Sequence, residues 1–237
     1  MNLLSVMQEK GVHKLLYSST CAKYGNVEKL PITELTPTEP INPYGKSKLY
    51  AEHAIRDYAL SNQKFRAAIL RYFNVLGSDP DGKIGELPRS ELRSHGRISG
   101  ACFDAAMGNT DRLTIMGTKH PTRDGTTIRD FIRVIDLVDA HITVTDNDKF
   151  ENPPVLYNVG TGKGVSMCEF VEACKVATGV DIKVHYSDEP RPGEYAEVYA
   201  NVDKIERELG WKAKYTNLSE SLSHAWKFRR RFVDNRW

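Results

Sequence analysis

Apolar positions along this chain recur in two alternating rhythms, one helical and one extended. Leu3, Leu4 and Met7 share a helical face near the start, and Gly11 stands where a C′ glycine would close that helix. A short apolar run follows, Val12 to Ser19 around Leu15-Leu16-Tyr17, and it predicts a buried strand. Pro31, Pro37, Pro40 and Pro43 then punctuate a loop. Asn42 offers an N-cap and Pro43 an N1 residue for a helix from about 43 to 61. Its inward stripe is Tyr44, Lys48, Ala51, Ile55 and Tyr58, spaced by four, three, four and three. A second strand covers Phe65 to Asn74.

The rest of the chain repeats the alternation less regularly. Residues 75–97 are polar and irregular, with a turn at Asp79-Pro80-Asp81-Gly82. A helix with Ile98, Cys102, Phe103 and Ala106 inward comes next, then strands over Leu113–Met116 and Thr127–Val134, with a turn at Arg123-Asp124-Gly125-Thr126. A helix over 136–145 and a strand over Val155–Val159 follow. Ser166 and Glu169 form a capping box for a helix that closes at Gly179, and Ile182–Tyr186 reads as a strand. Two helices end the chain, near 202–209 and 218–231, the second capped by Asn217 with Glu220. Helix, glycine, strand in repetition is the order of a parallel α/β sheet.

Composition narrows the function classes. The 237 residues suffice for one large or two small domains, and the net charge of +2 gives no electrostatic basis for nucleic-acid binding. The basic run Lys227-Phe228-Arg229-Arg230-Arg231 reads as a solvated helix end favoured by the macrodipole. Cys21, Cys102, Cys168 and Cys174 form no C-x-x-C pair and the histidines no H-x-x-x-H pair, so no metal site is expected. No apolar run approaches the roughly 20 residues of a membrane span. The first residues, Met1 to Met7, are too few for a signal peptide.

The chemistry sits at the end of the first strand and the start of the long helix. Ser18-Ser19-Thr20 delivers hydroxyls, and Tyr44 is followed one helical turn later by Lys48. A free tyrosine is a poor base because its pKa is about 10; a neighbouring ammonium favours the phenolate. Hydroxyl, phenol and ammonium together can move a proton to or from a substrate alcohol. Gly160-Thr161-Gly162-Lys163-Gly164 mimics a dinucleotide loop, but Val165 stands at its third fingerprint position and no acidic residue ends the next strand. Those glycines read as a tight turn. Arg129 and Arg191 suit a diphosphate, against the plainer reading of surface arginines paired with Asp130 or Glu194. His141 reads as a packed or surface helix residue rather than a catalyst, since no partner motif adjoins it.

Taken in order, the motifs carry a family resemblance. Ser18-Ser19-Thr20 with Tyr24-Gly25, Asn42-Pro43-Tyr44-Gly45-Lys46-Ser47-Lys48, Leu70-Arg71-Tyr72-Phe73-Asn74, Gly125-Thr126 with Arg129-Asp130-Phe131-Ile132, Tyr157-Asn158-Val159-Gly160 and Arg191-Pro192-Gly193 resemble the nucleotide-sugar 4-epimerases. These are extended short-chain dehydrogenases/reductases. Asp79-Pro80-Asp81-Gly82 and the stretch His95 to Asp104 look closest to the plant UDP-arabinose (UDP-xylose) 4-epimerase branch, with UDP-glucose 4-epimerase the near alternative.

The resemblance implies an α/β fold: the C-terminal part of a Rossmann-type parallel sheet with a smaller α/β substrate-binding domain. Residues 1–75 and about 127–160 would belong to the NAD-binding part, and about 76–126 and 161–237 to the UDP-sugar part. It implies NAD as cofactor, a UDP-sugar as substrate and epimerisation at C4 through a 4-keto intermediate. Tyr44, Lys48 and Thr20 would be catalytic, with Lys48 lowering the Tyr44 pKa. Ser18, Tyr44, Lys48, Tyr72 and Phe73 would contact the cofactor. Thr20, Asn74, Arg129, Arg191 and Glu194 would contact the substrate, the arginines gripping the diphosphate and Glu194 near the uridine ribose. It also implies a homodimer, with the helix around Tyr44 as the usual contact, and a cytoplasmic location, or the Golgi if an upstream anchor exists.

Departures stand beside these implications. Thr20 replaces a frequent serine and Glu194 the usual aspartate, while Arg133 stands where the family has histidine or aspartate. The family's glycine-rich NAD loop lies upstream of the segment matching Ser18. This chain is therefore expected to lack the adenine side of the cofactor site and to expose a raw strand edge. A catalytically silent fragment, poorly soluble and without bound NAD, is the contrasting expectation.

Overall fold

The computed structural model describes residues 2–87 and 97–233, with side chains to residue 231. His95 and Gly96 of the branch-specific stretch lie outside the described residues. The chain divides into two compact units: Met1–Phe73 with Leu137–Gly162 and Val198–Lys212, and Asn74–Asp136 with Lys163–Glu197 and Ala213–Trp237. The expected division grouped residues 127–136 with the first part and 198–212 with the second; here each belongs to the other unit.

In the first unit, helix α1 (Asn2–Glu9) leads to strand β1 (Lys14–Thr20), and helix α2 (Pro43–Ser61) to strand β2 (Arg66–Tyr72). Strand β6 (Val155–Val159) completes a parallel sheet of order β1-β2-β6, so β1 is an edge strand. Ala67, Ala68, Ile69 and Leu70 of β2 are fully buried, as a central parallel strand covered on both faces requires. Leu4, Met7, Ile55, Ala59, Phe65, Ala67 and Ile69 form the core on the α2 side. Leu3, expected inward, is 62% exposed: Leu4 and Met7 alone carry the packed face of α1. Helix α6 (Asp203–Leu209) packs on β6, with Lys204 Nζ donating to the Leu156 carbonyl at 2.8 Å. Most of helix α4 (Val134–Asp146) also belongs here.

The second unit begins where β2 stops. The expected strand over Phe65–Asn74 breaks at Phe73, and Asn74–Leu76 forms a separate strand, β3. It pairs in parallel with β5 (Ile128–Arg133), which pairs antiparallel with β7 (Gly164–Ser166). Strands β4 (Leu113–Met116) and β8 (Val184–Ser187) form a two-stranded parallel ladder, and β9 (Glu197–Val198) adds to β5. Helices α3 (Ile98–Ala106), α5 (Met167–Thr178) and α7 (Leu218–Val233) cover a core that includes Cys102, Phe103, Phe131, Phe170 and Leu222. The capping box of α5 is present, Ser166 Oγ accepting from Glu169 N at 3.1 Å and Glu169 Oε2 from Ser166 N at 2.9 Å.

The basic run of α7 is solvated at Lys227 and Arg230, as expected, but not throughout. Arg229 is only 4% exposed and donates to Asp104 on α3 at 2.7 Å. Phe228 is buried beside it, because that face of α7 packs inward. No helix among the described residues is long and apolar enough to cross a membrane.

Candidate functional site

Three hydroxyls end β1, and strand alternation sends them to opposite faces. Ser19 faces α2, its Oγ donating to Glu52 Oε1 at 2.5 Å. On the other face, Ser18 Oγ lies 3.1 Å from His141 Nε2. His141 Nδ1 lies 2.8 Å from the Leu137 carbonyl, so the ring proton sits on Nδ1 and the Ser18 hydroxyl donates to Nε2. His141 is a half-buried residue of helix α4. Thr20 is buried and caps the short 3-10 turn Cys21–Lys23, its Oγ1 accepting from Ala22 N at 3.2 Å. Its own hydroxyl proton remains for donation.

Helix α2 starts as its sequence dictates, Asn42 Oδ1 accepting from Gly45 N at 2.8 Å and Pro43 standing at N1. Gly45 is needed for a close approach: a Cβ there would lie 2.5 Å from the Ala22 carbonyl oxygen. The first turn of α2 therefore seats directly on the turn that follows Thr20. Tyr44 is 53% exposed, its phenol open to a ligand. Lys48 Nζ donates to the Ser18 carbonyl at 3.1 Å and lies 5.2 Å from the centre of the Tyr17 ring. Burial pushes the Tyr17 phenol above its ordinary pKa, and Glu52, Tyr44 and Tyr72 add to the rise. Tyr17, Tyr44 and Tyr72 thus occupy one neighbourhood. Phe73, after β2, is buried and its N–H donates to Val159 O at 3.3 Å.

Glu52, one turn beyond Lys48 on α2, is the residue that sequence reasoning missed. It is 1% exposed and binds Ser19, Lys23 and Arg71, the last through Nε at 3.1 Å and NH2 at 2.8 Å. Arg71 also donates to the Tyr24 hydroxyl at 2.9 Å, and Tyr24 to Asn158 Oδ1 at 2.7 Å. Burial alone would raise the Glu52 carboxyl; the hydrogen bonds and charges of Arg71 and Lys23 outweigh it and hold the group at about 2. Burial, with Arg71 adding, brings Lys23 down to about 8 despite its bond to Glu52. Burial takes Tyr24 up to about 12, Arg71 pulling the other way. The available signal was an acid within the inward stripe of α2, which a folded core tolerates only with partners.

In the second unit, Asn74 is exposed on β3 and pairs in register with Phe131 of β5. Arg129 NH1 donates to the Ile128 carbonyl at 2.8 Å, and its NH2 lies 4.0 Å from Glu194 Oε1. The backbone N of Arg191 donates to Glu194 Oε2 at 3.3 Å. Arg129 through its guanidinium and Arg191 through its backbone N–H thus both meet the Glu194 carboxylate. Sequence reasoning did not place His120 with them, yet its Nε2 lies 3.8 Å from Glu194 Oε2. Arg133 is buried, bonds His224 Nδ1 at 2.5 Å through NH2 and stacks 4.3 Å from the Tyr215 ring centre. It braces α7 and the 213–215 segment against the end of β5. The Gly160–Gly164 loop leads into β7 rather than straight into α5, so the helix N-terminus does not open on the loop.

The family model described as GDP-mannose 4,6 dehydratase matches residues 1–222. UDP-glucose-4-epimerase from Stenotrophomonas maltophila, solved with bound NAD and formylated UDP-arabinopyranose, superposes with a TM-score of 0.91 at 33% identity, over 98% of this chain and 68% of that one. The chain belongs to the nucleotide-sugar epimerases of the extended short-chain dehydrogenase/reductase family. Within that family, UDP-arabinose 4-epimerase 1 of Arabidopsis thaliana is 56% identical over 228 residues, 96% of this chain and 54% of that protein. UDP-glucose 4-epimerase of Bacillus subtilis is 36% identical over 226 residues, 95% of this chain and 65% of its own length. The chain spans about half the length of the plant relatives it matches. Its mixed α/β architecture with parallel strands is that of the family.

Proposed function

We propose that the chain carries the proton-handling and sugar-nucleotide-binding residues for NAD-dependent 4-epimerisation of a UDP-sugar, with UDP-L-arabinose and UDP-D-xylose as the pair. The observation that carries this reading is the set formed by Thr20, Tyr44 and Lys48 on the first unit. Tyr44 presents an exposed phenol, Thr20 keeps a hydroxyl proton, and Lys48 is anchored to the strand end through the Ser18 carbonyl.

These residues fit a nicotinamide ribose on their chemistry. Among the described residues Lys48 Nζ donates one hydrogen bond, to Ser18 O, which leaves two N–H groups for a vicinal diol. Tyr44, Lys48, Ser18, Tyr72 and Phe73 are the residues that would hold the cofactor. NAD, when bound, supplies the redox half of the chemistry at sugar C4. Tyr44 takes the proton of the 4-hydroxyl and later returns it to the 4-oxygen, the role of a positioned general base and acid. Thr20 donates its hydroxyl proton to that same oxygen and fixes it. Lys48 supports the phenolate electrostatically from one turn along the helix. On the second unit, Arg129 and Arg191 would bind the diphosphate, Asn74 would assist them, and Glu194 would meet the uridine ribose.

The plant relatives' 55–58% identity supports the pentose pair over the hexose pair, for which the Bacillus relative stands at 36%. Turnover tests the reading. The chain is incubated with NAD and UDP-arabinose, and UDP-xylose is separated by chromatography, with UDP-glucose run in parallel. UDP-xylose formation faster than UDP-galactose formation is the expected result. Preferential turnover of UDP-glucose would overturn the substrate assignment, and no product from either sugar would overturn the activity.

A further inference from the structure

Lys48 is held in place without a counter-charge. Its Nζ donates to the Ser18 carbonyl at 3.1 Å and stands over the Tyr17 ring, 5.2 Å from the centre. Among the described residues these are its contacts, and neither is a carboxylate. The acid one turn further along α2, Glu52, is committed to Ser19, Lys23 and Arg71. A carboxylate beside the ammonium would cancel most of its field. A carbonyl dipole and a ring face hold it and leave its unit charge intact.

The ring is a fixed support. Tyr17 stands two residues before Ser19 on β1, so the two side chains share the α2 face. Tyr17 is half-buried and packs on the core that includes Leu4, Ile55 and Ala67. The charged and titratable groups around its phenol are Glu52, Tyr44 and Lys48 of α2 and Tyr72 of β2. Burial, then Glu52 and the two tyrosines, push the phenol above its ordinary range, so it stays neutral at pH 7. A neutral ring attracts the ammonium through its face, and phenylalanine does the same. The Ser18 carbonyl alone gives a flexible four-carbon stem one anchor, about which the ammonium can swing. Carbonyl and ring together fix its position.

We propose that Tyr17 is a positioning residue whose ring face keeps the Lys48 ammonium at the Ser18 carbonyl with its charge uncancelled and available to the Tyr44 phenolate. This rests on the reading of Tyr44 as the base of the epimerisation and deepens it. Tyr17 touches neither substrate nor cofactor in this role; it acts through Lys48.

Two measurements on the full chain test the assignment, one of them independent of turnover. The first is proton NMR of lysine-labelled protein, with the Lys48 signal assigned by Lys48→Arg. The methylene protons next to Nζ are expected upfield of those of the other lysines, because they lie over a ring face. That shift persists in Tyr17→Phe and disappears in Tyr17→Leu and Tyr17→Met. The second is epimerisation of UDP-arabinose with NAD. Removing the ring is expected to lower kcat roughly two- to fivefold at pH 7 with KM unchanged, while Tyr17→Phe keeps the wild-type rate. The loss should fade as the pH rises, because the phenolate then forms without help. A loss of equal size at every pH would mean that the ring only fills space, and would overturn the proposal. A Lys48 signal unshifted in the wild type overturns it, and so does Tyr17→Leu turning over at the wild-type rate. A fall in Tyr17→Phe as deep as in Tyr17→Leu assigns the effect to the hydroxyl and overturns it too. No turnover by the folded wild type removes the epimerase reading and this role with it, and a shifted Lys48 signal then leaves only the contact standing.

Discussion

Two clusters in this molecule are built from similar parts and left in opposite states. In the first unit, Glu52 meets Lys23, Arg71 and Ser19 in a site almost wholly closed to solvent. In the second, Glu194 meets Arg129 and His120 across 4.0 and 3.8 Å, in a site with side-chain exposures of 12–17%. The first is satisfied and carries charge in a place where an unpaired ion would be severely penalised. The second keeps an unpartnered nitrogen and two stretched pairs. Glu52 ties α2 to Ser19 at the end of β1, to Lys23 in the turn that follows and to Arg71 of β2. Among the described residues Glu194 is held by the Arg191 N–H and by the long pairs to Arg129 and His120.

The largest effect that would sharpen this contrast is on stability. Glu52→Gln leaves Lys23 and Arg71 buried with their charges unopposed and is expected to lose roughly 3–5 kcal/mol of unfolding free energy by urea titration. Glu194→Gln breaks only stretched pairs and is expected to lose less than about 1 kcal/mol. Equal losses in the two variants would erase the distinction.

The acid limb of stability gives the next effect. Glu52 is held at about 2 in the folded chain against an ordinary value of 4.5. A depressed carboxyl contributes stability above its unfolded pKa and loses it as pH falls through the folded one. The contribution, on the order of 3 kcal/mol, should therefore disappear between about pH 4.5 and 2. Urea midpoints that stay flat across this window would show that the carboxylate is not paired as described.

A further stability effect lies on the alkaline side. Lys23 is lowered to about 8 from 10.5, so its ammonium weighs against folding below pH 8 and is relieved as pH rises. The rise should be visible up to about pH 10, where Tyr24, held up at about 12, begins to oppose folding because its unfolded phenol ionises first. Lys23→Met is expected to stay within about 1 kcal/mol of the wild type at pH 7, since Arg71 still pairs with Glu52, and to lack the rise between pH 8 and 10. A wild-type profile matching that of Lys23→Met would contradict the buried ammonium.

The residues proposed to handle the proton were legible in the sequence because their signals are local. Asn42-Pro43 starts a helix, and Tyr44 and Lys48 follow at one-turn spacing on it. The strand ending in Ser18-Ser19-Thr20 is equally local. Glu52 was hidden because its partners come from Ser19, Lys23 and Arg71, brought together only by the parallel pairing of β1 with β2. His120 was hidden for the same reason, 74 positions from Glu194 along the chain. The break at Phe73 was unreadable because Arg66 to Leu76 is a nearly continuous extended run, and only sheet partners reveal that Asn74–Leu76 pairs elsewhere. Arg229 shows the converse error: a charge run suggests solvent, but Asp104 supplies a buried partner that no local pattern announces.

The central claim is that Tyr44 handles the proton of the sugar 4-hydroxyl. The most direct measurement compares Tyr44→Phe with the wild type in three readings taken together: turnover of UDP-arabinose in the presence of NAD, UDP affinity and urea midpoint. The phenol is 53% exposed, so its removal should leave stability and UDP affinity unchanged within error. Turnover should fall by at least about a hundredfold. A Tyr44→Phe variant that epimerises at the wild-type rate would contradict the account.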